Sequence, residues 1–391
     1  MANERDVMFW LVKSSFFGEK LDKEQINNIT ANKLQKAYDI ASAHYLSQLF
    51  LSALKCNGLT QVNPDITRKA KKAVYFASIT SSLQQEELEK VSKIFETNKI
   101  AFIPLKGSVI RKYYPEPWMR VSCDVDILVK PSDFEKAYTL LINELQYTSS
   151  PLKSHDISLH SKNSIHIELH YDLIEQDRRI GSSAILRNIW DYAHPKNEGS
   201  FEHALTDEVF YFYHIAHMEK HFEEGGCGIR SFLDLYVLNK SLLINREKLE
   251  LMFKTNGMLK FANVSNQIVE SWFEDSESNL PTEMRDVADF VVDGMVFGTI
   301  KTNTAMASAM SGKSKNILNL FFLPYNQMVA YYPILKKAKW LLPFCWMYRP
   351  IKAILQGRGS FVQKRIKAAG SIEQESIDKT KNIINYLELK E

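Results

Sequence analysis

Acidic residues are missing from a long stretch near the end of this 391-residue sequence. From Gly294 to Ile372 there is no Asp or Glu, while twelve Lys and Arg lie between Lys301 and Lys367. The chain totals are 49 basic and 46 acidic residues, so everything outside that stretch carries 37 and 46, a net of −9. The formal charge of +3 therefore hides an acidic body with a basic C-terminal portion. Such a portion suits a polyanionic contact (lipid head groups, nucleic acid or a phosphorylated glycan), and equally a solvated basic face. Cysteine is scarce too. Cys56, Cys123, Cys227 and Cys345 stand far apart and form no CxxC pair. That argues against a zinc knuckle or disulfide framework and suits reduced thiols in a cytoplasmic protein. No uninterrupted apolar run reaches about 18 residues, so no spanning helix is predicted. The opening MANERDVMFWLVKSSFF has too short an apolar run for a signal peptide. Repeats and low-complexity tracts are absent. What is there, 45% hydrophobic and 24% charged residues, is the composition of a folded chain. Its length predicts two or three packed units.

Helical periodicity dominates the first hundred residues. Apolar residues recur at three- and four-residue steps over Lys33–Lys55 and Arg68–Lys93. Cys56-Asn57-Gly58 stops the first segment, and Asn63-Pro64-Asp65 turns the chain before the second. At Ile100 the pattern changes. AFIPLKG suits a short buried strand, with Pro104 confining it to an edge or strand end. CDVDILVK alternates as a strand. PSDFEKAYTLLINEL then reads as a helix, with Ser132 and Glu135 at capping-box spacing. DISLHS and SIHIELHY alternate around Lys162-Asn163, predicting a hairpin. From Thr206, a candidate cap, a helix runs through His221 until Gly225-Gly226-Cys227-Gly228 breaks it, and helical segments continue to the end.

Asp124 and Asp126, two apart on a predicted strand, point the same way. Paired carboxylates repel unless a cation lies between them, and magnesium takes hard oxygen ligands from carboxylates and phosphates. Val125, Ile127 and Val129 would bury the opposite face. Taken alone, the pair also suits two solvated aspartates on an edge strand. Before it stand Lys106, Gly107 and Ser108, a glycine turn that can offer backbone N–H groups to a phosphate. Lys106 and Arg120 can neutralise phosphate charge, or serve as surface cations near acids. In IHIELHY, His166, Glu168 and His170 share one strand face, and Ile165, Ile167 and Leu169 the other. A third carboxylate beside the pair is what two-metal nucleotidyl transfer needs. A half-buried hairpin with a polar outer face fits the same alternation.

Lys106-Gly107-Ser108, Arg120, DVDILV and IHIELHY together resemble the nucleotidyltransferase superfamily typified by DNA polymerase beta. A bacterial branch of that superfamily is closer still. Leu105-Lys106-Gly107, Tyr113-Tyr114-Pro115-Glu116-Pro117, Arg120, the Asp pair and Glu168-Leu169-His170-Tyr171 follow its pattern. His217, His221, Arg230 and Asp234 look like its downstream helical His, Arg and Asp. The resemblance spans roughly residues 100–240. Two departures are a longer gap from Gly-Ser to the Asp pair and glutamate as third acid. The resemblance implies an α+β fold, a mixed sheet between helical N- and C-terminal regions. The expected division is 1–99 (helical), 100–200 (catalytic) and 201–391 (helical, with a basic, aromatic-rich end). It also implies catalytic, metal-holding Asp124, Asp126 and Glu168 with Mg2+ or Mn2+. A nucleoside triphosphate would be contacted by Lys106, Gly107, Ser108, Arg120, His170, His217 and His221. The nucleotidyl group would pass to a hydroxyl acceptor (sugar, protein or RNA), releasing pyrophosphate. A catalytically silent nucleotide- or membrane-binding scaffold is the alternative.

His214, His217 and His221 share a helix face. They suit either a polar stripe lining the nucleotide cleft or a transition-metal site, though no acid or cysteine completes a familiar spacing. Residues 319–367 interleave aromatics with Lys336, Lys337, Lys339, Arg349 and Lys352. Aromatics at helical spacing point to a helical core with a basic exterior. Their mixture with cations also suits peripheral contact with an anionic membrane from the cytoplasmic side.

Overall fold

Alternating apolar and polar residues at 124–129 and 166–170 set two strands side by side at the centre of the molecule's sheet. The computed structural model describes residues 2–150, 155–173, 183–274, 280–355 and 359–389. Five strands, β1 (Phe102–Pro104), β2 (Asp124–Val129), β3 (Thr148–Ser149), β4 (Asp156–His160) and β5 (His166–His170), form one sheet in the order β1-β2-β5-β4-β3. β2 and β5 run parallel, with Asp124 opposite His166 and Asp126 opposite Glu168. The other pairs are antiparallel. Val125, Ile127, Val129, Ile167 and Leu169 lie on the far face. They join one core with Val91, Phe95, Ala137 and Leu141. Each such buried side chain stabilises by about 1.5–3 kcal/mol, and a one-residue slip would turn all of them to the wrong side. That locks the carboxylates' register. Pro104, with no N–H for a ladder, ends edge strand β1. The expected hairpin turns through Ser161–Ser164, where Ser164 N–H donates to the Ser161 carbonyl.

The helices before the sheet are α1 (Glu4–Phe17), α2 (Lys23–Asn28), α3 (Ala31–Ala43), α4 (Phe50–Cys56) and α5 (Pro64–Thr97). One correction falls here. The segment expected from Lys33 to Lys55 is two helices, because Tyr45 takes a left-handed backbone (φ +57°) and Leu46 N–H folds back to the Ala41 carbonyl. After β1 come α6 (Gly107–Ile110) and, past β2, α7 (Phe134–Asn143). Ser132 does not cap α7. Pro131 starts a 3-10 turn, Pro131–Asp133, and the helix begins beyond it without a side-chain cap. α8 (Ala184–Arg187) precedes a two-stranded sheet, β6 (Ala193–Pro195) and β7 (His203–Leu205). Then follow α9 (Asp207–Glu223), α10 (Ile229–Ser241), α11 (Arg246–Thr255) and α12 (Leu259–Phe273). The last helices are α13 (Thr282–Gly294), α14 (Ile300–Ser311), α15 (Lys313–Phe321), α16 (Tyr325–Tyr331), α17 (Leu342–Leu355), α18 (Gly359–Ser371) and α19 (Gln374–Tyr386). The architecture is α+β with helical flanks.

Compactness divides the chain into two units, Met1–Ala216 with Ile229–Asn279, and His217–Gly228 with Leu280–Glu391. The first holds both sheets. The second is helical; in it α14 packs with α15, α18 and α19. Not all aromatics of residues 319–367 are core: Trp340 and Phe344 are exposed. Among the described residues no helix is long and apolar enough to cross a membrane.

Candidate active site

Parallel pairing of β2 with β5 brings the three acids together on one sheet face. One oxygen each of Asp126 and Glu168 and one nitrogen of His170 lie within 4.8 Å of one another, and the same holds for Asp124, Glu168 and His166. Glu168 belongs to both groups. Asp126 is buried; its Oδ1 accepts from Lys106 Nζ at 2.7 Å and lies 2.9 Å from His170 Nε2. That geometry suits a proton on Nε2. Burial opposes the Asp126 charge, yet Lys106 and His170 hold its carboxyl well below the ordinary range. Asp124 moves the other way. Burial and the neighbouring Asp126 and Glu168 raise its carboxyl, against the pull of Lys106.

Lys106 sits in the turn between β1 and α6 at φ +47°, ψ −124°, a region that favours glycine and costs a side-chain-bearing residue about 1–3 kcal/mol. The strain is held because Leu105 N–H donates to the Asp126 carbonyl on one side and α6 starts on the other. Its ammonium is largely withdrawn from solvent, which opposes the charge, but Asp126 keeps it protonated. Ser108 Oγ is buried with no hydrogen-bond partner among the described residues. An unpaired buried hydroxyl costs about 1–3 kcal/mol unless a ligand satisfies it.

Gly107 lies over a buried cationic layer. A Cβ there would come within 2.8 Å of Arg120 Nη1 and 3.0 Å of Ser122 Cβ. Arg120 is pinned from beneath: its Nη2 donates to Asp234 Oδ2 at 2.8 Å and its Nε to Oδ1 at 3.1 Å, and Tyr114 Oη donates to the same Oδ1 at 2.7 Å. Arg111 completes the layer by donating to the Gly107 carbonyl, Gln84 Oε1 and Ser122 Oγ. Burial, helped by Arg120, lowers the Arg111 guanidinium to about 10. So the structure places Arg120 in an ion pair that backs the glycine turn. Sequence reasoning missed Arg111, Gln84, Ser122 and Tyr213. Tyr213 is a buried phenol raised well above its usual range, by burial first and then by Asp126 and Glu168 against the lowering by Lys106. Nothing local distinguishes it from the other aromatics of α9. His217 and His221 belong to the second unit, where their Nε2 atoms lie 3.1 Å apart and His221 Nδ1 is 3.3 Å from Glu224 Oε2. His214 is in the first unit, its Nε2 3.0 Å from the Ser231 carbonyl.

Three acids on adjacent parallel strands, beside a glycine turn, raise the question of a nucleotidyltransferase. Comparison with protein families decides the point: a model described as an uncharacterised nucleotidyltransferase matches residues 30–274, more than half of the chain. The chain belongs to this nucleotidyltransferase family. No curated protein and no solved structure matches it. The family match extends past the resemblance seen in sequence, from α3 to the end of α12, and so takes in Asp234 as well as β2 and β5. Does the nucleotidyltransferase's site fit a divalent cation? Each of the two groups offers two carboxylates and an imidazole nitrogen, and burial together with repulsion from Asp126 and Glu168 already raises Asp124. A cation would remove that repulsion, so the residues fit.

Proposed function

We propose that this nucleotidyltransferase moves a nucleoside monophosphate from a nucleoside triphosphate to a hydroxyl acceptor (a sugar, protein or RNA hydroxyl), releasing pyrophosphate. The observation that carries the reading is Glu168, whose carboxylate lies within 4.8 Å of ligand oxygens of both Asp124 and Asp126 although it comes from a separate strand. Asp124, Asp126 and Glu168 would hold Mg2+ or Mn2+. A bound divalent cation supplies charge neutralisation at the phosphates and makes the acceptor hydroxyl more acidic. The protein's own groups do the rest. Asp126 is kept ionised by Lys106 and His170, so it enters the reaction as a ready ligand. Glu168, with 17% of its side chain exposed, borders solvent and can take the acceptor's proton and release it. Gly107 and Ser108 face the phosphates, Ser108 gaining the hydrogen bond it lacks. Lys106 balances phosphate charge, and Arg120 holds the turn in place from below. The enzyme works in the cytoplasm, where its four free cysteines stay reduced.

The test is pyrophosphate release from each ribonucleoside triphosphate with Mg2+ or Mn2+, offered sugars, peptides and RNA ends. Asp126→Asn keeps the shape of the side chain but removes its charge. It is expected to lose activity by about a hundredfold or more, with an unchanged circular dichroism spectrum. Wild-type protein releasing only free phosphate would make the site a hydrolase. Triphosphate binding without turnover of any acceptor would favour the silent scaffold.

A further inference from the structure

Helix α17 has two faces with opposite fates. On one, Trp346 Nε1 donates to the Leu323 carbonyl at 2.9 Å and Arg349 Nη1 to the Leu320 carbonyl at 3.1 Å, with the Trp346 ring edge-on to Phe322. These contacts hold α17 to the end of α15 and the loop after it. On the other face, Phe344, Met347, Tyr348, Ile351 and Leu355 recur at helical steps and form a single stripe. All five are exposed, from 50% for Tyr348 to 78% for Leu355. Trp340, on the 3-10 turn Lys339–Leu341 just before the helix, is 71% exposed and continues the stripe, its ring 6.3 Å from that of Phe344. Exposed apolar surface this continuous marks a contact site.

Charge says what covers it. Lys336, Lys337 and Lys339 are exposed immediately ahead of the stripe, and Lys352 lies within it over the Tyr332 ring. No acid occurs between Gly294 and Ile372 to balance them. The same face of a second copy would bring like charge against like. An anionic lipid surface offers both an apolar interior for the stripe and negative head groups for the lysines. Among the described residues no helix can span a bilayer, so the contact is interfacial. We propose that this face of the second unit docks on an anionic bilayer. α17 lies in the head-group plane, its stripe and Trp340 reach the top of the acyl layer, and Lys336, Lys337 and Lys339 meet lipid phosphates and carboxylates. The inference uses no catalytic residue and stands or falls apart from the nucleotidyl-transfer reading.

The experiment is sedimentation of the full chain with vesicles of phosphatidylcholine alone and of phosphatidylcholine mixed with phosphatidylserine. Binding to the mixed vesicles only is expected, weakening as salt rises. Changing Lys336, Lys337 and Lys339 together to Gln is expected to weaken it on the order of a hundredfold. Phe344→Ser with Met347→Ser should abolish it. Brominated acyl chains should quench wild-type fluorescence more than that of Trp340→Phe. Because all these side chains are already in solvent, the variants should fold like wild type. Absence of sedimentation with either vesicle, equal binding to both, or a dimer in analytical ultracentrifugation that Phe344→Ser dissolves would overturn the proposal.

Discussion

Removing the charge of Asp234 strands the buried Arg120 guanidinium and weakens the hydrogen bond that Asp234 accepts from the Tyr114 hydroxyl. Asp234→Asn keeps the volume but leaves Arg120 as a buried cation without its anion. A loss of about 3–5 kcal/mol is expected in denaturant unfolding of the first unit. Arg120→Met combined with Asp234→Leu should recover most of it, which a double-mutant cycle measures. The pH dependence follows from direction. Burial opposes the Asp234 charge, but Arg120 wins and lowers the carboxyl. The folded pKa lies below the unfolded value of about 3.9. The pair's stabilisation is therefore complete at higher pH and is lost only as pH falls through the folded pKa. Stability compared between wild type and Asp234→Asn should differ most above about pH 5 and converge in acid. At this scale the candidate site was partly legible. Asp124, Asp126 and Glu168 stand out because two-residue alternation puts acid where a core strand would have none. The Arg120–Asp234 pair does not, since 114 residues separate the partners and neither carries a local pattern that names the other.

Elements read well from sequence where periodicity is bounded by strong breakers, and poorly where a turn is imposed from elsewhere. β2, β5 and the β4–β5 hairpin follow from alternation alone. The break at Tyr45 does not, because neither glycine nor proline marks it; the left-handed residue is a tyrosine between the buried His44 and Leu46. Gly225-Gly226 reads simply as a helix stop, yet a Cβ on Gly226 would fall 1.8 Å from the Gly298 backbone nitrogen. Close approach of two chain segments is the reason for the glycine, and sequence does not display it. The turn from β1 to α6 is the same kind of case in reverse. Its backbone calls for glycine at 106 and the chain supplies lysine, keeping the ammonium on Asp126 at the expense of strain. Comparing Lys106→Gly with Lys106→Ala separates the two effects, since both lose the ion pair and only alanine keeps the strain. The glycine variant is expected to be more stable by about 1 kcal/mol or more in urea unfolding, although glycine is the more flexible residue in the unfolded chain. Equal stabilities, or a more stable alanine variant, would mean the turn relaxes freely and the lysine's placement is not enforced by the backbone.

Two compact units in one chain give two places for a ligand to act, and the ligand sets are separable. All three acids, Lys106 and His170 belong to the first unit, while α17 and its lysines belong to the second. A cation that binds only the folded first unit stabilises that unit by mass action, by about 2.7 kcal/mol at a concentration one hundred times its dissociation constant. Burial and repulsion from Asp126 and Glu168 raise Asp124, so cation binding should strengthen as pH rises and Asp124 ionises. Hydrogen exchange resolves the units without assuming a single unfolding step. With Mg2+ or Mn2+ added, amides of β2 and β5 should slow, and those of α14 and α19 should keep their rates. In Glu168→Gln the protection of β2 and β5 should vanish, because the acid shared by both ligand groups is gone. Protection that persists in that variant would show a cation bound without Glu168, and would remove the convergence of two strands on which the catalytic reading depends.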